Sequence, residues 1–121
     1  MTDTRPITIF CDIDGTLVHH QPPGSVAKTD AKLELLPGTI EKLNEWDSKG
    51  YCIILVTGRK ESMRDITEKQ LKDVGIFYDK LIMGIGGGPR YIINDKKPNN
   101  NNDTAHSICL DRNIGILNIN I

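Results

Sequence analysis

The stretch ITIFCDIDGTL, which begins at Ile7, decides the fold. Four residues of β-strand character lead almost directly into Asp12 and Asp14, and Gly15 and Thr16 follow. A buried strand that ends in acidic residues is costly unless the acids leave the core where the strand stops. In an open sheet of parallel strands that point is the carboxyl edge, where such folds bind their ligands. We therefore expect both aspartates at a ligand-binding edge, beside a glycine that allows a sharp turn.

Two carboxylates at one strand end repel each other, so either a cation neutralises them or one of them binds a proton. Hard oxygen ligands favour Mg²⁺, which takes one or two carboxylates together with water and phosphate oxygens. A carboxylate beside such a metal can attack phosphorus while its neighbour transfers the proton. The alternative is a polar turn without chemistry. The buried strand before the aspartates and the Gly-Thr pair after them favour phosphoryl transfer over that alternative.

The motif DIDGTL at residues 12–17 resembles the first signature of the haloacid dehalogenase superfamily, whose members are mostly Mg²⁺-dependent phosphatases. The resemblance implies that Asp12 is the nucleophile. It implies that Asp14 first protonates the leaving oxygen and then activates water. It also implies a Mg²⁺ site formed by Asp12, Asp14 through its backbone carbonyl, and Asp95.

A second apolar run of strand length, YCIILV at residues 51–56, ends in Thr57, Gly58 and Arg59. A continuous apolar run of this length is typical of a strand covered on both faces. The hydroxyl and the backbone amides that follow it, ahead of a helix, favour anion binding. Thr57 matches the phosphate-binding residue of the second signature of the same superfamily. The resemblance therefore implies substrate binding by Gly15, Thr16, Thr57 and Gly58.

A third apolar run, YIIN at residues 91–94, predicts a buried strand that ends on Asp95. In the superfamily the corresponding signature carries one or two acids. Here Asn94 precedes Asp95, so Asp95 is expected to hold the metal almost alone. The chain then enters an Asn-rich polar loop at residues 97–103.

The lysine of the usual third signature is missing, because its place reads GGGPR. Arg90, Lys96 and Lys97 are the candidates that neutralise the nucleophile and the phosphate, and Lys80 is a weaker one. We favour Lys97, and assign Arg90 to substrate binding. A strand over 91–94 would put the Arg90 backbone about 13 Å from the site edge, since each extended residue spans about 3.3 Å. Lys96 and Lys97, in contrast, follow the strand on the correct edge.

The remaining pattern predicts an α/β fold with a doubly wound, mostly parallel sheet and helices on both faces. Apolar spacing and glycine positions place further helices after Pro37, ending at Gly50, and over Glu61 to Val74. Further elements are expected over Phe77 to Met83 (strand), Thr104 to Arg112 (helix) and Ile116 to Ile121 (strand). Residues 18–36 have no helical period and predict a loop or a short hairpin flap, too short for a cap domain.

Length and composition bound the other possibilities. A chain of 121 residues supports one core, so residues 1–121 are expected to form a single domain. A net charge of −1 excludes a broad basic surface for nucleic acid, although not a local basic groove. Three cysteines without CxxC spacing exclude a zinc loop and favour a reducing cytoplasm. No apolar run reaches about 18 residues, so neither membrane insertion nor export is expected.

The sequence thus predicts a capless, Mg²⁺-dependent phosphomonoester hydrolase that acts through an aspartyl-phosphate. Its substrate is either a small phosphorylated molecule or a nucleic-acid end with a 3′-phosphate, and a neighbouring subunit in a homo-oligomer could supply a lid. One alternative is a catalytically weak binding or scaffold protein, favoured by the missing lysine and the single additional metal acid. A response-regulator receiver is disfavoured, because Thr57 rather than an acid ends the middle strand.

Overall fold

The computed structural model describes residues 5–21 and 32–121. Three parallel strands form one sheet in the order β1-β2-β3: β1 Thr8–Asp12, β2 Cys52–Val56 and β3 Lys80–Ile82. Two α-helices connect them: α1 Thr39–Ser48 between β1 and β2, and α2 Arg64–Asp73, preceded by a 3₁₀ turn at Glu61–Met63, between β2 and β3. The register pairs Asp12 with Val56 and Val56 with Ile82, so all three strands end at the same edge.

One face of the sheet carries the core. The alternating residues on this face are buried: Ile9, Cys11, Ile53, Leu55 and Leu81. Leu43 and Trp46 of α1 and Leu71 of α2 belong to the same buried cluster, so both helices pack on this face. On the opposite face Phe10 remains 50% exposed and Ile82 41% exposed. Within the described residues, the helical cover that we expected on both faces is therefore found on one.

The first two thirds of the chain fold as predicted. The strand over 51–56 forms as β2, and the helix after Pro37 forms as α1 and ends near Gly50, whose N–H donates to the Asp47 carbonyl at 2.9 Å. The helix over 61–74 forms as the 3₁₀ turn and α2, and the strand expected over 77–83 forms as the shorter β3. The predicted α/β fold with a parallel sheet is confirmed.

Three predicted elements in the last third are wrong. No strand forms over 91–94, where Tyr91 is 90% and Ile93 95% exposed, and no strand forms over 116–121. No helix forms over 104–112, and Ile108 and Cys109 are exposed. Short helices and strands are marginal unless a neighbouring element buries their apolar side. The run at 91–94 stays exposed, whereas Leu110, Ile116 and Ile119 pack against the core from irregular backbone.

The segment where a cap domain would be inserted is a hairpin at its base. Val18 and Leu35 form an antiparallel bridge, and the His19 N–H donates to the Glu34 carbonyl at 2.8 Å. The hairpin predicted over 18–36 is thus confirmed at its two ends, while its tip at 22–31 lies outside the described residues. No helix in the described ranges is long and apolar enough to cross a bilayer.

The C-terminal segment, residues 113–121, forms no helix or strand, but it binds both the turn after β1 and the residues that precede α1. The Asn113 N–H donates to the Gly15 carbonyl at 2.8 Å, and the Ile116 N–H donates to the Pro37 carbonyl at 3.0 Å. Ile116 itself is buried in the core cluster. Thr39, at the start of α1, donates its hydroxyl to the Leu17 carbonyl at 2.6 Å. The turn after β1 is therefore held from two sides.

Two glycines that flank α1 allow a matched test of this packing. Gly38 (φ 85°) and Gly50 (φ 77°) are both left-handed, but a Cβ on Gly38 would lie 2.4 Å from the Leu117 Cα, whereas a Cβ on Gly50 would meet nothing within 4 Å. Gly50→Ala is expected to lower the free energy of unfolding by about 1 kcal/mol, the cost of a left-handed alanine. Gly38→Ala adds a backbone clash and should cost about 3 kcal/mol or more. Equal losses in urea denaturation would show that the C-terminal segment does not lie against Gly38.

Candidate active site

The turn after β1 holds its two aspartates by burying the residues between and beyond them. Ile13 and Leu17 are fully buried, while Asp12 and Asp14 are half-buried. The Ile13 carbonyl accepts hydrogen bonds from the N–H groups of Thr16, Leu17 and Val18 at 2.9–3.2 Å. Gly15 has a φ of 86°, which favours glycine. This tight turn places both carboxylates at the edge of the sheet, as predicted from the strand ending.

Asp12 lies in an environment that opposes its charge. Its side chain is 38% exposed, and Arg90 Nη1 lies 3.4 Å from its Oδ1. Burial raises the pKa of Asp12 above its ordinary value; the Arg90 guanidinium and the Ile13 N–H, which favour the carboxylate, offset only part of that shift. A further cation near Asp12 would complete the neutralisation that an ionised nucleophile needs.

Asp14 is held by a buried arginine. Arg59 Nε donates to Asp14 Oδ2 at 2.9 Å and Nη2 donates to Oδ1 at 2.8 Å, so the contact is bidentate. The Arg59 side chain is 5% exposed and that of Asp14 22%. The sequence interpretation assigned no role to Arg59. The position of Arg59 in the sequence could have indicated this role, because it follows Thr57 by two residues at an edge where two carboxylates need a cation.

Thr57 follows the last residue of β2, two residues before Arg59. Its side chain is buried, and its Oγ1 accepts a hydrogen bond from the Arg59 N–H at 3.1 Å. Because a hydroxyl has one donor as well as two acceptor positions, this bond leaves the Thr57 proton for another partner. Gly58 is exposed at the same turn. The geometry is compatible with the predicted anion-binding role of this residue pair.

The structure brings Arg90, rather than Lys97, beside Asp12. Lys97 Nζ lies 3.3 Å from Asp95 Oδ1, and Lys96 Nζ lies 3.7 Å from Asp103 Oδ1. The preference for Lys97 assumed that a strand over 91–94 would place Arg90 at the far edge, and that strand does not form.

The Gly-rich loop before Arg90 folds back onto the end of β2. The Gly84 N–H donates to the Arg59 carbonyl at 2.8 Å, and the Ile85 N–H donates to the Thr57 carbonyl at 3.1 Å. These bonds keep the loop at the site edge, so the chain reaches Arg90 without first crossing the sheet. The position of Arg90 follows from this loop.

Asp95 is not gathered with the other two predicted metal ligands. Its side chain is 74% exposed, and in residues 5–21 and 32–121 no three acidic, histidine or cysteine side chains form a group that could hold a metal. The oxygens at the strand end still suit Mg²⁺, because the Asp12 carboxylate and the Asp14 carbonyl are hard donors and this metal fills several positions with water. Asp95 as a third ligand stays a prediction.

Arg112 is a second residue that sequence reasoning missed. Its Cγ would lie 3.3 Å from a Cβ on Gly15, so its aliphatic stem packs against the turn between the aspartates and Leu17. Nothing in the local sequence signals this contact, because the C-terminal segment was expected to form a helix there. The packing places a third guanidinium near the candidate site, in addition to those of Arg59 and Arg90.

Residues 9–96 match the family described as PITM 1-3, LNS2 domain, which is more than half of the chain. The chain belongs to the LNS2 domain family. The LNS2 domain has a phosphatase fold of the haloacid dehalogenase type, so the superfamily resemblance is confirmed at the level of the fold. The matched range of this LNS2 domain includes Asp12, Asp14, Arg59 and Arg90, and it ends before Lys97 and Arg112.

Two solved structures resemble this LNS2 domain. The first, "Structure of Pnkp1/Rnl/Hen1 complex", has a TM-score of 0.56 and 29% sequence identity, over 74% of this chain and 32% of that chain. The second, "Structure of the Pnkp1/Rnl/Hen1 RNA repair complex", has a TM-score of 0.54 and 25% identity, over 86% of this chain and 30% of that chain. The LNS2 domain thus spans about a third of each matched chain. No curated protein matches it.

Proposed function

We propose that this LNS2 domain is a Mg²⁺-dependent phosphomonoester hydrolase that acts through an aspartyl-phosphate on Asp12. The observation that carries the proposal is the group of side chains at one sheet edge. Asp12 contacts the cation of Arg90, and Asp14, two residues later, is held by Arg59 next to Thr57. A carboxylate nucleophile, a proton-transferring carboxylate and donors for a phosphoryl group are what phosphoryl transfer through a covalent intermediate needs.

In the proposed first step, a carboxylate oxygen of Asp12 forms a bond to phosphorus while the bond from phosphorus to the leaving oxygen breaks. Asp14 gives its proton to that oxygen. In the second step, water forms a bond to phosphorus, Asp14 takes a proton from the water, and the bond between Asp12 and phosphorus breaks. Arg90 and Thr57 offset the negative charge that the equatorial phosphoryl oxygens carry in both transition states.

The metal would be held by the Asp12 carboxylate and the Asp14 backbone carbonyl, with Asp95 as the proposed third ligand. When bound, Mg²⁺ supplies positive charge to the phosphoryl oxygens and to the nucleophile. Only an exposed ion pair with Lys97 engages the Asp95 carboxylate among the described contacts. Such pairs contribute about 0–1 kcal/mol, so this pair does not prevent Asp95 from joining the metal.

Asp95→Ala tests this ligand assignment. We expect the Mg²⁺ concentration for half-maximal turnover to rise at least about tenfold, because a carboxylate in the metal shell is lost. Asp103→Ala is the matched control, since Asp103 is another exposed acid of the same segment and pairs with Lys96. A Mg²⁺ requirement that stays the same in both variants would remove Asp95 from the metal site.

The proposed activity is tested by a turnover assay of the full chain on p-nitrophenyl phosphate with and without Mg²⁺. Release of inorganic phosphate that needs Mg²⁺ supports the proposal. Failure to release phosphate from this compound, from a panel of phosphorylated metabolites and from 3′-phosphorylated oligonucleotides would contradict it. That failure would favour the alternative of a binding or scaffold protein with the same fold.

A nucleic-acid 3′-end phosphatase is the more specific candidate. It is supported by the likeness to a chain of an RNA repair complex and by two further guanidinium groups near the site besides that of Arg59, those of Arg90 and Arg112. Guanidinium groups bind phosphates in bidentate geometry, which suits the flanking phosphate of an oligonucleotide. A higher kcat/KM for a 3′-phosphorylated oligonucleotide than for any metabolite of the panel is the expected result. A homo-oligomer that supplies a lid stays a prediction.

A further inference from the structure

We propose that Arg59 is a positioning residue that orients Asp14 for proton transfer, and that α2 fixes Arg59 in turn. The inference rests on the proposed function of the site. It starts from the bidentate contact, in which Nε and Nη2 of Arg59 meet the two carboxylate oxygens of Asp14 at 2.9 and 2.8 Å. Two parallel hydrogen bonds fix both the place and the rotation of a carboxylate, which a single bond or a lysine does not.

The contact leaves Asp14 able to act on a proton. A carboxylate has about four lone-pair positions, and the fork of Arg59 uses two of them. One of the other two can carry the proton that goes to the leaving oxygen, and the same position can later accept a proton from the attacking water. Asp14 is also the more accessible partner, with 22% of its side chain exposed against 5% for Arg59. Arg59 therefore binds Asp14 from the buried side, and the exposed side of the Asp14 carboxyl group is accessible to substrate and water.

The third guanidinium nitrogen is tied to α2. Arg59 Nη1 donates to Thr67 Oγ1 at 3.1 Å and to Gln70 Oε1 at 2.7 Å. Both acceptors are buried on the core side of the helix. The sequence pattern predicts an apolar row on this helix. The two polar residues that are buried there instead, Thr67 and Gln70, share Arg59 as their partner. Their role is to fix the guanidinium plane.

Stability alone does not account for this arrangement. Taking an arginine and a carboxylate out of water is costly, and apolar residues of similar volume often stabilise a core equally well. Here every guanidinium nitrogen has a partner, and the network ends on the residue proposed to move the proton. An orienting role explains both the burial and the direction of the network.

The inference predicts a dependence on the leaving group. When Asp14 cannot donate a proton, cleavage of an alkyl phosphate slows strongly, because the alkoxide is a poor leaving group. It matters little for p-nitrophenyl phosphate, whose phenolate leaves without a proton. The measurement is single-turnover release of the leaving group with the full chain in excess and Mg²⁺ present, because it reports only the first step.

Arg59→Lys keeps a positive charge but removes the bidentate fork. We expect the single-turnover rate on an alkyl phosphate to fall at least about a hundredfold, the size of a general acid contribution, and the rate on p-nitrophenyl phosphate to fall less than about tenfold. In an Asp14→Asn background, Arg59→Lys should have no further effect, because residues that act as a unit are not additive. Circular dichroism and thermal unfolding check that each variant is folded.

Equal losses on the two substrates, or a further loss in the Asp14→Asn background, would overturn the inference while leaving the proposed function standing. No turnover by the wild-type chain on any phosphomonoester would overturn the proposed function and the inference with it. If Arg59→Lys does not fold, Thr67→Val decides. It removes one acceptor of the Arg59 guanidinium, should slow only the alkyl phosphate by several-fold, and should be rescued by Thr67→Ser. An unchanged rate in Thr67→Val would show that α2 does not fix Arg59 and would overturn the inference.

Discussion

Replacing Asp12 with asparagine is expected to abolish turnover of p-nitrophenyl phosphate, with a loss of at least about a thousandfold. The amide cannot form the bond to phosphorus that the carboxylate forms, and it removes a charge from the proposed metal site. The measurement is Mg²⁺-dependent phosphate release by the purified variant. Turnover within tenfold of the wild type would rule out Asp12 as the nucleophile.

The same variant should remain folded, which makes its loss of activity interpretable. Burial raises the pKa of Asp12, so the ionised carboxylate destabilises the folded state at neutral pH relative to a neutral group. Asparagine has nearly the same shape and no charge. The contact that it weakens, with Arg90, is partly exposed and contributes little. We expect a free energy of unfolding no lower than that of the wild type, and a clearly lower value would mean that the variant has lost structure.

Replacing Arg90 with alanine is the second change with a large expected effect. Arg90 is the cation that contacts Asp12, so its loss should lower kcat/KM at least about a hundredfold. Lys96→Ala and Lys97→Ala are matched controls from the same segment, since each removes a cation that pairs with another acid, and each should stay within about threefold. The idea fails if all three variants keep wild-type turnover. A dead Lys97→Ala beside an active Arg90→Ala would instead return the role to Lys97.

Arg90→Ala also has an expected pH signature. The Arg90 guanidinium lowers the pKa of Asp12 against the larger effect of burial, so removing it should raise that pKa further. Because the nucleophile must be ionised, activity is lost as the pH falls through this pKa. The acid limb of the residual kcat/KM profile should therefore move to higher pH in Arg90→Ala and stay in place in Lys97→Ala.

The sequence was sufficient to predict those helices and strands whose apolar residues pack against another element. β2 and α1 follow from an uninterrupted apolar run and from apolar residues in register before Gly50, and both form. The run at 91–94 is also apolar at three of its four positions, yet it does not form a strand. An apolar run shows only that burial would be favourable; it does not show that an adjacent strand is available.

The candidate site was predictable where residues follow strand ends and was missed where it depends on loops. Asp12, Asp14 and Thr57 were expected at one edge, and parallel register brings the ends of β1 and β2 there. Arg90 was misplaced because its position depends on the fold of the Gly-rich loop. Arg112 reaches Gly15 from the far end of the chain, and no local pattern encodes such a contact.

The central claim is a covalent phosphoryl group on Asp12, and it can be measured directly. The Asp14→Asn variant with Mg²⁺ is mixed with p-nitrophenyl phosphate, quenched in acid and mapped by peptide mass spectrometry. Because this substrate does not need the acid but hydrolysis of the intermediate needs the base, the account predicts one phosphoryl group on the peptide that contains Asp12, and none after Asp12→Asn is added. Release of nitrophenol without a phosphoryl group on that peptide, or with the group on another residue, would contradict it.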